Sequence, residues 1–324
     1  MPRAGISLRT VQAGAVRGLS PWRKLANGLA SLQGAAQAWR IMRDFRPHVV
    51  LATGGYAAVP VVMAAWLRRC PVLVYLPDAR PGLAVRLLSG LAKRVAVSFE
   101  AAQAYFGPGK TIVTGYPVRP ALFSGPEGRP LARQRLGLAS GRKTLLVLGG
   151  SRGAHSINVA ISESLEKLLD LAQIIHAAGE GDSAWLQERR DKLPEALRER
   201  YHLYTYLHEE MVPALLAADL AVARAGAATM GEFAAAGLPS ILVPYPYSGQ
   251  HQEANADFMA SRGAARKVLD GSLAAGALRQ AIEALLCDEG ALRSMAKNAR
   301  QLARPDAARA IARQLAVLAA GGGA

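Results

Sequence analysis

The stretch "LAVARAGAATMGEFAAAGLPSILVPYP", residues 220–246, decides the fold. It reads as a buried strand, a small-residue turn, a short Ala-rich helix, a Gly-Leu-Pro stop and a second buried strand. Both apolar runs are continuous rather than alternating, the pattern of parallel strands covered on both faces. One carboxylate, Glu232, stands near the helix start, eight residues after Arg224. With Thr229 it fits the S/T-x-x-E capping box, in which the acid bonds the helix start. A first-turn carboxylate at a strand end is equally suited to accept two hydrogen bonds from a ribose diol, the task of an acidic residue in dinucleotide folds. The two roles compete for the same oxygens.

The same grammar extends outward from this unit. Strand candidates fall at 48–53, 71–76, 94–99, 111–115, 144–149, 173–179, 201–207, 220–225, 240–246 and 265–269, with helical segments between most of them. That order predicts an α/β fold of two Rossmann-like, doubly wound parallel-sheet domains facing a cleft. The division falls in the Gly-, Pro- and charge-rich segment 121–143, giving domains 1–125 and 126–304 and a terminal helix, 305–324, that packs back on the first domain. Before residue 47 there is a long helical pattern, 22–44, and one poor strand candidate, "ISLRTVQAG" (6–14). The usual opening of strand, Gly-rich turn and helix is missing, so the first domain reads as incomplete at its start.

Composition narrows the partners. Residues 1–125 hold 16 Lys/Arg against 3 Asp/Glu, whereas residues 126–324 hold 23 against 21. A basic half joined to a near-neutral half suits a polyanionic partner: nucleic acid, an anionic membrane or a phosphorylated substrate. Aromatics are 6% and form no stacking platform among the basic residues, which disfavours nucleic acid. The two cysteines, Cys70 and Cys287, support neither a disulfide framework nor a metal centre, so no metal or other cofactor is expected. The longest apolar run, Tyr56 to Leu67, contains a proline and falls short of the roughly 20 residues a spanning helix needs.

Three strand-to-helix junctions of the second half carry candidate chemistry, because helix N-termini at strand ends offer free N–H groups. "LVLGGSRGAHSIN" (146–158) places Gly149, Gly150, Ser151 and Gly153 as an anion cradle, with a plain turn capped by Ser151 as the alternative. "RAGAATMGE" (224–232) adds the small-residue turn Ala225, Gly226, Ala227, Ala228 and Thr229. "VPYPYSGQHQEANADFM" (243–259) opens a helix with Gln250, His251, Gln252, Glu253 and Asn255, donors and acceptors suited to a sugar, although helix starts favour such residues anyway. In the first half, "LATGGYAAVP" brings Gly54 and Gly55 to one strand end and "YLPDARPGL" brings Asp78 to another. "TGYPVRP" sets Arg119 beside the linker, where a guanidinium suits a phosphate.

Taken together, "GGSRGAHSIN", "RAGAATMGEFAAAGLPSILVPYP" and "HQEANA" resemble the signature of the MurG family. "TGGYAAVP", "PVLVYLPDARPGLA" and "GYPVR" are similar to its first-domain motifs. The likeness runs from about residue 48 to 304. It implies the GT-B fold and inverting transfer of N-acetylglucosamine from UDP-GlcNAc to an undecaprenyl-diphosphate-linked muramyl-pentapeptide in peptidoglycan synthesis, at the cytoplasmic face of the plasma membrane. It also implies roles: Arg119 and Ser151 on the diphosphate, Glu232 on the ribose, the backbone near His208 on the uracil, and His251 with Gln252 on the donor sugar. Gly54, Gly55 and Asp78 fall on the acceptor side.

Two departures qualify the likeness. The family's "GGTGGH" loop, which carries its proposed base, has no counterpart, and Met1 falls roughly sixty residues after the usual start, the length of a missing βαβ opening. No catalytic residue is therefore assigned, and a misplaced start is favoured over a real truncation. Asp78 stands where the family's "HEQN" has an asparagine. The competing readings are another UDP-sugar transferase acting on a lipid and a non-catalytic UDP-sugar binder. "VPVVMAAWLRR" (59–69) reads as an apolar patch with a basic rim for an anionic membrane surface, or as an ordinary packing helix.

Overall fold

The computed structural model describes residues 5, 7–12, 21–149, 154–247 and 251–321. The chain forms two compact units, Met1–Thr114 with Ala308–Ala324, and Gly115–Ala307.

In the first unit α1 (Pro21–Phe45) leads to β1 (Val50–Ala52), α2 (Ala58–Leu67), β2 (Val72–Leu76), α3 (Leu83–Leu91), β3 (Arg94–Val97) and β4 (Thr111–Val113). The strands pair in the order β1-β2-β3-β4, all parallel. Every residue of β2 is buried, as its unbroken Val-Leu-Val-Tyr-Leu run requires. Met42 and Ala38 of α1, Val62 and Ala65 of α2, and Leu88 of α3 close the core over it. Residues 7–12 form no strand, which corrects the expectation for "ISLRTVQAG"; its remaining residues lie outside those described. The segment lacks the Val/Ile run that would repay burial on both faces, and Gln37 Oε1 accepts the Gln12 backbone N–H at 2.8 Å instead.

The second unit runs through α4 (Gly128–Arg135), β5 (Thr144–Leu148), α5 (His155–Glu163), α6 (Leu165–Leu171), β6 (Gln173–Ala177), α7 (Glu180–Asp191), α8 (Glu195–Arg198) and β7 (Tyr201–Tyr204). It continues with α9 (Met211–Ala217), β8 (Leu220–Ala223), α10 (Ala227–Ala236), β9 (Ser240–Leu242), α11 (His251–Ser261), β10 (Ala265–Lys267), α12 (Ala277–Leu286) and α13 (Glu289–Leu302). The final helix, α14 (Ala307–Gly321), reaches the first unit's sheet, where Arg94 Nη1 donates to Gln314 Oε1 at 3.0 Å. The six parallel strands lie in the order β10-β9-β8-β5-β6-β7. From β5 the chain steps outward through β6 and β7, then returns to the other side of β5 for β8. The order therefore reverses between β5 and β8, and ligands of such sheets bind at the carboxyl ends of the strands at that reversal.

All ten strand candidates are strands, and all but β2 end before their candidate segments do. The trimmed residues, such as Ser98 and Arg224, leave the ladder to form the carboxyl-edge turns.

A buried polar chain crosses this unit. His176 Nδ1 pairs with Tyr201 Oη at 2.8 Å, its Nε2 with Asn158 Oδ1 at 2.9 Å, and Asn158 Nδ2 donates to Asp182 Oδ2 at 2.7 Å. Asp182 Oδ1 also receives Trp185 Nε1 and pairs with His155 Nδ1. Burial pushes the His176 imidazole down to about 3. Its unfolded value is about 6.5, so below that pH the unfolded chain binds a proton that the folded protein does not. This one group should remove about 1.4 kcal/mol of stability per pH unit as pH falls from about 6.5 toward 3. Urea unfolding of wild type and His176→Gln at pH 6.5 and 5 checks this: the wild type should lose about 2 kcal/mol more than the variant over that interval. Parallel losses would contradict a neutral, buried His176.

Candidate functional site

The carboxyl edge of the second sheet is built around the turn after β8. Ala225 is buried, and its carbonyl accepts from the buried Asn255 Nδ2 at 2.9 Å. On the other side Arg224 Nη1 pairs with Asp270 Oδ1 at 2.5 Å and donates to the carbonyls of Val243 and Pro244, and Nη2 donates to Ser156 Oγ at 2.8 Å. Its guanidinium lies 5.3 Å over the Tyr245 ring. The turn is thus tied to α5, to the exit of β9 and to α11.

Gly226 is the N-cap of α10, and no side chain bonds the helix start. Thr229 is not the N-cap and Glu232 is not in the first turn: they occupy the third and sixth helical positions. The capping-box reading is therefore corrected. Gly226 takes the cap because Ala225, drawn inward by Asn255, lets the helix begin three residues earlier than a Thr cap would. The Thr229 hydroxyl faces back toward Gly226, 3.8 Å from where a Cβ there would stand. The first N–H groups of α10, served by no side-chain cap, remain available to an anion.

Glu232 lies half-buried one turn further on. Burial raises its carboxyl above the usual glutamate range, and the Arg119 guanidinium opposes that only in part. Among the described residues Glu232 makes no hydrogen bond or ion pair, while Arg119 stands near enough to act on its charge. Arg119 comes near because the loop after β4 packs on α10 at Gly231: a Cβ at Gly231 would sit 2.5 Å from Tyr116 Cδ1.

The other expected residues are distributed as follows. Gln252 Oε1 accepts the Tyr245 backbone N–H at 3.0 Å, which leaves its Nε2 without a partner among the described residues. His251 is the first residue of α11. The His208 N–H donates to Glu210 Oε2 at 3.1 Å, and Glu210 is held below the ordinary glutamate range by that bond and one from its own backbone N–H. Ala227 and Ala228 open α10. Gly150, Ser151 and Gly153, with Gln250, lie outside the described residues. In the first unit Gly54 and Gly55 follow β1 with φ of +87° and +80°, a backbone only glycine adopts without strain, and Asp78 follows the neighbouring β2. Sequence reading missed the roles of Arg224, Ser156, Asn255 and Asp270. Only the unexplained arginine after β8 gave any hint of them.

Two parallel α/β units, one presenting at its sheet edge a helix start with no side-chain cap beside a half-buried acid, make an architecture suited to an anionic, diol-bearing ligand such as a nucleotide. The glycosyltransferase family 28 N-terminal domain matches residues 1–97 and its C-terminal domain residues 144–311. A relative from Roseiflexus sp. (strain RS-1) is 43% identical over 95% of this chain and 78% of its own length. It is named UDP-N-acetylglucosamine--N-acetylmuramyl-(pentapeptide) pyrophosphoryl-undecaprenol N-acetylglucosamine transferase. The crystal structure of Acinetobacter baumannii MurG is similar with a TM-score of 0.72 at 28% identity, covering 94% of this chain and 83% of that one. A UDP-GlcNAc 2-epimerase from Neisseria meningitidis, bound to UDP-GlcNAc, shares the fold at TM-score 0.64 and 16% identity, covering 93% and 84%. The chain belongs to the MurG family of glycosyltransferases and has the GT-B fold.

The Tyr116–Gly231 contact yields a prediction of unusual sign. Gly→Ala inside a helix ordinarily stabilises by about 1 kcal/mol. Here the added methyl meets the Tyr116 ring, and overpacking of that kind costs about 1–3 kcal/mol. Gly231→Ala should therefore be destabilising in urea titration, and Tyr116→Ala in the same chain should restore the ordinary helix gain. A more stable Gly231→Ala single variant would show that the loop does not pack there.

Proposed function

We propose that this protein transfers N-acetylglucosamine from UDP-GlcNAc to an undecaprenyl-diphosphate-linked N-acetylmuramyl-pentapeptide, with inversion at the anomeric carbon and release of UDP. The observation that carries the donor assignment is Glu232: a half-buried carboxylate with no hydrogen-bond partner among the described residues, one turn inside an uncapped helix at the strand-order reversal. A ribose diol supplies the two donors that such a carboxylate lacks. In this reading the first N–H groups of α10, the Thr229 hydroxyl and Arg119 meet the diphosphate, and His251 with the Gln252 Nε2 meets the sugar. Ser151, Gly150 and Gly153 complete the phosphate cradle, the backbone near His208 holds the uracil, and Gly54, Gly55 and Asp78 serve the acceptor.

The chemistry follows from charge. As the bond from the anomeric carbon to the diphosphate breaks, negative charge gathers on the leaving phosphate oxygen. A helix N-terminus and a guanidinium stabilise that charge more than they stabilise the ground state, which lowers the barrier. Gly226, Ala227 and Ala228 have side chains small enough to let the phosphates reach the backbone.

Calorimetric titration with UDP-GlcNAc tests the donor site. Glu232→Gln should weaken binding by about tenfold or more, since bonds to a charged group contribute about 1.5–3 kcal/mol each. Removing the ribose 2′-hydroxyl from the ligand should weaken wild-type binding and leave the variant little changed. Because burial raises the Glu232 carboxyl, wild-type affinity should decline on acidification from a higher pH than an ordinary glutamate would impose, and Glu232→Gln should lack that decline. Equal affinities for a folded wild type and variant would refute ribose reading by Glu232.

We further propose peripheral attachment at the cytoplasmic membrane face through the first unit. No described helix is long and apolar enough to cross a membrane. On α2, Val62, Ala64 and Ala65 face the core, but Met63, Trp66 and Leu67 are exposed beside Arg68 and Arg69; Leu83 and Leu87 are exposed on the neighbouring α3 with Arg86. Apolar side chains rimmed by arginine suit an anionic lipid surface. Sedimentation with phosphatidylglycerol vesicles at low salt should retain the wild type and lose Trp66→Ser/Leu67→Ser, with circular dichroism unchanged. Equal retention would exclude α2 as the anchor.

A further inference from the structure

The second unit has a cavity of 560 Å³ at the amino-terminal edge of its sheet, the edge opposite the turn after β8. Lys143, Asp219 and Pro239, which immediately precede β5, β8 and β9, line it with Arg129 of α4 and with Glu289, Arg293 and Arg300 of α13. Four cations thus face two carboxylates, and both acids are already engaged. Asp219 receives Arg129 Nη1 at 2.6 Å, Arg133 Nη2 at 2.7 Å and the Thr144 N–H at 2.8 Å. Glu289 receives Arg293 Nη1 at 3.1 Å and lies 3.9 Å from Lys143 Nζ.

Two groups are left over. Arg300 has no carboxylate partner among the described residues; it packs on Gly237, at the negative end of α10. Arg129 Nε is buried with no hydrogen-bond partner among the described residues. Orphaned buried donors are uncommon and costly, and they mark a place where an unseen acceptor belongs.

We infer that this cavity is a second binding site, distinct from the donor site, for a phosphate-bearing anion. The formal excess of two positive charges among its lining residues matches a phosphate monoester, which carries about −1.5 to −2 near neutral pH. Arginine forks bond phosphate oxygens in pairs, and three of the four cations are arginines. The volume lies within the range of small-molecule sites, about 300–1,000 Å³. Leu292 and Ala296 give it an apolar wall along α13, so the phosphate can belong to a free metabolite or to a phospholipid headgroup.

The test uses the full chain with UDP present in excess, so that the donor site is occupied. Inorganic pyrophosphate is titrated calorimetrically at constant ionic strength, and vesicles containing phosphatidic acid, whose headgroup is a phosphate monoester, are tested in parallel by sedimentation. Arg293→Gln is a surface change that leaves Gly237 untouched, and it guards against Arg300→Gln failing for reasons of stability. A free-metabolite site predicts saturable pyrophosphate binding, weakened about tenfold in Arg300→Gln and several-fold in Arg293→Gln. A headgroup site predicts that both variants lose vesicle binding while Trp66 and Leu67 are intact. If neither pyrophosphate binding nor vesicle binding responds to either variant, the inference is overturned. Failure of UDP itself to bind would count against the donor site alone, and the pyrophosphate comparison would still decide this one.

Discussion

One guanidinium organises the carboxyl edge of the second sheet. Arg224 leaves β8 and is nearly buried, its side chain 12% exposed. A buried charge must be paired and its remaining donors satisfied. Asp270 supplies the countercharge, Ser156 Oγ and two carbonyls beyond β9 take the other donors, and Ser156 in turn donates to Asp270 Oδ1 at 2.7 Å. Three other chain segments converge on this one side chain. Its removal would strand Asp270 partly buried and unpaired, a loss on the order of 3 kcal/mol, and would free the turn that opens α10.

That rigidity explains why the helix start can stay open. Helices commonly use Ser, Thr, Asp or Asn to cap their first N–H groups. Here Gly226 holds the cap position with no side-chain acceptor, and the turn is held from outside the helix by Arg224 and Asn255. The donors that a cap would have used have no side-chain acceptor at the cap. Glu232, one turn along, pays a desolvation penalty with no hydrogen bond to offset it among the described residues. An open helix start and an unsatisfied acid, fixed on one helix, together describe complementarity to a ligand that has phosphates at one end and a diol at the other.

The fold was legible because parallel strands announce themselves. Val72–Leu76 and Leu220–Ala223 are buried on both faces, so their residues are apolar without interruption, and the helical stretches between them force a βαβ reading. The carboxyl-edge turns were legible as glycine- and alanine-rich joints. The local chemistry of Thr229 and Glu232 was not: the capping box obeys sequence spacing, but the helix start was moved three residues upstream by Asn255, a side chain 26 residues beyond Thr229. Long-range polar partners leave no periodic trace. Asp270 and Ser156 are ordinary surface-type residues in sequence, and only the folded chain brings them to Arg224. The His176–Asn158–Asp182 chain was hidden for the same reason, since "QIIHAAG" reads simply as a strand with one histidine in it.

The central claim is that this edge holds a sugar nucleotide for transfer, not for binding alone or for rearrangement of the sugar. The most direct measurement incubates the protein with UDP-GlcNAc and a lipid-linked muramyl-pentapeptide and follows both products by mass spectrometry. The account predicts one UDP released for each acceptor that gains an N-acetylhexosamine, with the new linkage inverted relative to the donor. UDP-GlcNAc recovered unchanged, or converted to an isomeric UDP-sugar while the acceptor gains nothing, would contradict it.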